Sequence, residues 1–109
     1  MTGYLTYTKI ENSYLRSTEI SSKAKLVGAV LKTFDPCYPS YSKISLYTGI
    51  KSPTTINSAI RELERLNIIL ITKGRSGKAN EYVFRDFEDW SISINEKDFI
   101  RNVSDLSKY

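Results

Sequence analysis

The sequence predicts an α+β fold in which a three-helix core is followed by a β-hairpin. Three observations predict it. A capped, amphipathic stretch runs from Gly49 to Leu66. Two β-branched or aromatic runs follow it at once, separated by a glycine-punctuated basic turn. Two further helical patterns lie upstream, one stopped by Asp35-Pro36 and one by Gly49.

Taken in chain order, Tyr4-Leu5-Thr6-Tyr7-Thr8 has strand-like composition and is expected to pair with the hairpin. Asn12 to Arg16 suits a turn or a short helix. Ser21 or Ser22 can cap a helix running through Phe34, with Ala24, Val27, Val30, Leu31 and Phe34 on one face. Gly28 within that helix costs roughly 1 kcal/mol relative to Ala, which implies close approach of a neighbouring helix. Pro39 marks a second turn, and Ser40 can cap a helix from Tyr41 to Thr48, with Ile44 and Tyr47 facing inward.

The third helix is the most informative. Gly49 can adopt the positive φ of a sharp turn after a helix. Ser52 can cap the next helix, and Pro53 suits its first position, where no N–H is needed. Ile56, Ala59, Ile60, Leu63 and Leu66 then form one apolar stripe. The opposite face holds Thr54, Thr55, Asn57, Ser58 and Arg61, short or hydrogen-bonding groups where a merely solvated helix would carry Glu and Lys. Such a face can fit against base edges: Asn57 matches adenine, and Arg61 matches guanine or a phosphate, unless it pairs with Glu64 along the helix. Thr54 and Thr55 suit a thymine methyl or a phosphate, or serve as ordinary first-turn residues. Helix, glycine turn and helix together read as a helix-turn-helix.

Asn67 suits a left-handed helix end. Ile68 to Lys73 and Asn80 to Phe84 read as strands around Gly74-Arg75-Ser76-Gly77-Lys78. The tip presents Lys73, Arg75 and Lys78 with no acidic residue, which suits a phosphate backbone. A hairpin so placed is a wing, and the whole reads as a winged helix. Ser40, Tyr41 and Lys43 at the start of the preceding helix, and Lys51 in the turn, are further backbone-contact candidates. Packing against the first helix is the equal alternative for Tyr41.

Composition limits the function. The chain has 109 residues, enough for one domain with short additions. With no histidine and a single cysteine, Ser-His and Cys-His nucleophile pairs and the common zinc sites are excluded. Cys37 is expected to pack as a small hydrophobe, and the lone thiol points to a cytoplasmic location. No phosphate-binding glycine loop, signal peptide or membrane span is apparent. Carboxylates and lysines remain, and a carboxylate cluster holding a divalent metal would point to a nuclease. The reading is nonetheless a non-enzyme with no catalytic residues, no metal, no cofactor, no small-molecule ligand and no membrane partner. Net charge is +4 and unevenly distributed. Residues 39–84 hold seven basic against three acidic side chains, whereas residues 85–109 hold four against six. The positive charge lies with the proposed reading helix and wing.

The run from Cys37-Tyr38-Pro39-Ser40-Tyr41 through Leu63, followed by Leu66-Asn67-Ile68-Ile69, resembles a winged helix-turn-helix family of phage and plasmid replication and regulatory proteins. The resemblance covers about residues 20–84. Gly49-Ile50-Lys51-Ser52-Pro53 also resembles the DNA-binding domain of the LexA repressor, whose turn carries the same extra residue. That likeness implies that Ser52, Thr54, Thr55, Asn57 and Ser58 face the DNA. The residues here differ from the repressor's, so its sequence preference does not carry over; the replication family, for its part, often has Arg where this chain has Ser52-Pro53.

The expected organisation is an N-terminal strand and short helix over 1–19, the winged domain over 20–84 and an extension over 85–109. In the extension, Trp90-Ser91-Ile92-Ser93-Ile94 alternates as an edge strand or arm would. Asn95 can cap a helix over 95–107 whose stripe is Phe99, Ile100, Val103 and Leu106. With Trp90, that stripe either folds back on the core or pairs two copies, and a homodimer is the expectation. The functional expectation is a reader of double-stranded DNA that regulates, replicates or partitions a mobile element. The alternative is a protein-interaction module docking on a replication, transcription or defence protein.

Overall fold

The computed structural model describes residues 7–93. Among these, the order is α1 (Asn12–Arg16), α2 (Ser22–Leu31), α3 (Tyr41–Thr48), α4 (Pro53–Arg65), β1 (Ile69–Thr72) and β2 (Glu81–Phe84), then a 3-10 turn at Phe87–Asp89. The α+β winged architecture is as the sequence predicts. Tyr7 and Thr8 are not in a strand, and the rest of the expected strand at 4–8 lies outside the described residues. So do the expected helix at 95–107 and its stripe of Phe99, Ile100, Val103 and Leu106.

Local chemistry sets the helix boundaries. The Ser21 hydroxyl accepts the Ala24 N–H and starts α2. This helix ends at Leu31, three residues before the expected Phe34. The reason is competition for one carbonyl: Val30 O accepts both the Thr33 N–H and the Thr33 hydroxyl, and the Phe34 N–H turns to Leu31 O instead. Asp35, which precedes Pro36, is in turn disfavoured from helical geometry. Ser40 caps α3, and Gly49 ends it at φ +79°.

Helix α4 closes with a Schellman motif. The Ile68 N–H reaches Leu63 O and the Asn67 N–H reaches Glu64 O, with Asn67 at φ +59°. The chain then enters the hairpin, where Ile69 lies opposite Phe84 and Ile71 opposite Tyr82 on the inner face. Leu70 and Val83 pair on the outer face and are exposed. The Tyr82 N–H also donates to Cys37 O, tying the α2–α3 connection to the wing.

The core gathers Ala24, Val27 and Leu31 from α2, Ile44 from α3, and Ile56, Ala59, Ile60 and Leu63 from α4, with Ile68, Ile69 and Tyr82 beneath the hairpin. Helix α1 contributes Tyr14, whose hydroxyl donates to the Ala24 and Lys25 carbonyls. Gly28 makes room for it: a Cβ there would collide with the Tyr14 hydroxyl and press on Leu63. Val30 and Phe34 are only half-buried. Tyr47 does not face inward; it is 60% exposed, its ring resting on Phe34 at 6.0 Å between centroids. Cys37 is buried and donates to Leu31 O.

Trp90 corrects the reading of the extension. It belongs neither to an edge strand nor to a surface left for a second copy. The indole is 9% exposed, packs edge-on against Tyr14 and Phe87, and donates from Nε1 to Arg85 O. The 3-10 turn folds the chain back, and the Ser91 N–H then bonds Leu66 O at the end of α4.

Candidate nucleic-acid interface

The proposed reading surface is built on α4, whose position is set from both ends. At its start, the Ser52 hydroxyl accepts the Thr55 N–H and Pro53 occupies the first turn. Later in the helix, Glu62 reaches across to α2 and accepts from both the Ser21 N–H (2.7 Å) and the Ser21 hydroxyl (2.8 Å). That is a capping box completed by another helix, since the usual carboxylate three residues into α2 is replaced by Ala24. Nothing in the local sequence signals this contact between residues 41 apart.

With Ile56, Ala59, Ile60 and Leu63 buried, α4 turns Thr54, Asn57, Ser58 and Arg61 to water as one stripe, and Thr55 is half-buried beside it. Four of the six sequence-predicted base-facing residues thus share one exposed stripe, with Thr55 beside it and Ser52 at the cap before the helix. Their chemical states differ. Ser52 uses its hydroxyl oxygen as a cap and keeps its hydrogen to donate. Arg61 pairs with Glu64 at 3.2 Å, an exposed pair worth no more than about 1 kcal/mol, so it can open toward another anion. Asn57 accepts a hydrogen bond on Oδ1 from the Tyr41 hydroxyl at 3.0 Å. The role of Tyr41 as a partner of Asn57 is one that sequence reasoning missed.

The expected backbone-contact residues lie around this face. Tyr41 and Lys43 are exposed in the first turn of α3, Ser40 caps that turn, and Lys51 is exposed in the turn before α4. Lys73, Arg75 and Lys78 are exposed at the hairpin tip. That tip is shaped by Ser76 and Gly77 at positive φ, by a turn bond from the Lys78 N–H to Arg75 O, and by Asn80, whose Oδ1 accepts the Gly74 N–H. Asn80 is the second residue not anticipated; it fixes the shape of the tip without occupying it.

Under this surface lies Tyr82. Its hydroxyl is buried and makes no well-formed hydrogen bond, and burial, reinforced by the Tyr41 hydroxyl and only partly offset by the nearby Asn80 amide, pushes it up to about 12. Burial, reinforced by Glu81, also raises the Cys37 thiol to about 11. Neither group carries charge near neutrality. Among the described residues, no three Cys, Asp or Glu side chains come together as metal ligands, and no helix is long and apolar enough to cross a membrane.

Comparison with known proteins agrees with this geometry. Residues 18–69 match the profile of a family described as a helix-turn-helix domain, spanning α2, α3 and α4 to the first residue of β1. Searches of curated proteins and of solved structures gave no match. Residues 18–69 of this chain are thus similar to a helix-turn-helix domain, and the antiparallel hairpin that follows gives the fold its winged form.

Proposed function

We propose that the chain reads duplex DNA, with α4 in the major groove and the wing tip along the flanking backbone. The observation that carries this is the composition of the exposed face of α4: Thr54, Asn57, Ser58 and Arg61 form a stripe of short or forked hydrogen-bonding groups. Ser52, Thr54, Thr55, Asn57, Ser58 and Arg61 meet base edges in this reading. Ser40, Lys43, Lys51, Lys73, Arg75 and Lys78 meet phosphates. The chain acts in the cytoplasm as a homodimer, because a single winged helix buries little surface and paired half-sites raise affinity and specificity. Its role is that of a regulator, replication factor or partition factor of a mobile element, a reading supported by the resemblance of residues 37–69 to such proteins.

Selection from random duplex DNA, with binding titrated at two salt concentrations, tests the reading. An enriched motif is expected, palindromic with half-sites about one turn apart if two copies bind. Weak, salt-sensitive binding without a motif would overturn it.

A second reading has its own observation. Leu46 and Tyr47 on α3 are 72% and 60% exposed, with Tyr38 exposed nearby in sequence. A protein-docking module would lose its partner on Leu46→Ser or Tyr47→Ser and tolerate Asn57→Ala; a DNA reader shows the reverse.

A further inference from the structure

We infer that Tyr41 is a positioning residue that fixes which way round the Asn57 amide meets the DNA. This rests on the reading of α4 as the base-contacting helix and assigns a specificity role to a side chain on the other helix.

A primary amide has two faces that differ only in exchanging a donor for an acceptor, and rotation about its last bond is broad and roughly two-fold. A free Asn on a helix surface therefore presents both arrangements. Here the Tyr41 hydroxyl donates to Asn57 Oδ1 at 3.0 Å. The reversed amide would offer the phenol a donor instead and give up the phenolic hydrogen to water.

The backbone that carries the phenol is fixed. Tyr41 is the first residue of α3, directly after the Ser40 cap. The held amide leaves Nδ2 as the donor, and Oδ1 keeps a second lone pair. Adenine offers the matching edge in the major groove, an N7 acceptor beside an N6 donor. Tyr41 thus selects a base without touching it. Holding the amide before binding also removes an ordering cost that a loose side chain would bear.

Tyr41→Phe keeps the ring and removes only the hydroxyl. Binding is measured for the wild type, Tyr41→Phe, Asn57→Ala and the double variant, on the preferred duplex and on duplexes changed at the base pair read by Asn57. The expected result is a loss of about two- to tenfold for Tyr41→Phe on the preferred duplex, little change on the altered duplexes, and no added loss once Asn57 is Ala. An even loss on every duplex, additive with Asn57→Ala, would make Tyr41 a backbone contact and overturn the inference.

A second readout needs no DNA. The side-chain NH2 resonances of Asn57 in the free protein should shift in Tyr41→Phe while the backbone spectrum is retained; unmoved resonances would also overturn it. If the wild type selects no motif, the DNA reading fails on its own, visibly and before any Tyr41 variant is made, and the inference falls with it.

Discussion

Asn57 and Arg61 share the exposed face of α4, but they are held differently. Asn57 is hydrogen-bonded across to α3, whereas Arg61 rests on a surface carboxylate three residues along its own helix. Asn57→Ala should therefore cost about 1–3 kcal/mol on the preferred duplex and relax base choice at one position. Competition binding against duplexes altered singly would show it, and equal losses on all of them would exclude base reading. Gly28→Ala separates two opposing effects. Helix propensity favours Ala by about 1 kcal/mol, but the new methyl meets a buried Tyr14 hydroxyl already committed to two carbonyls. Overpacking of this kind costs about 1–3 kcal/mol, so a net loss of up to about 2 kcal/mol is expected in urea unfolding. At this scale the sequence was legible where the determinant is local. Gly49, Ser52, Pro53 and Asn67 act within their own turns. Tyr47 was misread because helical spacing places it near Ile44 yet does not reveal that Phe34 stops short and offers it only a surface ledge.

Between elements, the dependence of α2 on α4 is the feature that sequence reading did not reach. Glu62 supplies the carboxylate that opens α2. Glu62→Ala should destabilise the fold by about 1–2 kcal/mol and speed amide exchange in the first turn of α2 ahead of the rest. An unchanged protection pattern would show that the contact adds nothing. The wing was legible from its glycines and β-branched runs, because hairpin chemistry is short-range. Its tip is acid-free and fully exposed, so Arg75→Ala or Lys78→Ala should weaken DNA binding evenly across sequences. Each should also flatten the salt dependence by about one unit. Unaltered slopes in both would take the wing off the backbone.

For the whole molecule, the buried hydroxyl and thiol predict its response to alkali. Cys37 and Tyr82 ionise at about 11 and 12 in the fold against ordinary values of 9.0 and 10.0. Above the ordinary value, the unfolded chain loses its proton while the folded chain keeps it. Stability is therefore intact below about pH 9 and falls as pH rises, first through Cys37 and then through Tyr82 and the still more strongly raised Tyr14. Chemical denaturation across pH 8–11 checks this, and Cys37→Ala should flatten the early part of the decline. The fold class was legible at this scale because each helix carries its own stop signal. The place of Trp90 was not, since an alternating run reads the same whether its aromatic residue faces a partner or its own core. The bond from the Ser91 N–H to Leu66 O, followed by one from the Ser93 N–H to Glu19, has a practical corollary. The chain is led away at the far end of α4, about 20 Å along the helix axis from Ser52 by the rise of its turns. A fluorophore or fused domain attached beyond Ser93 thus has its tether anchored at the end of the helix away from Ser52 and Thr54, where the reading surface begins.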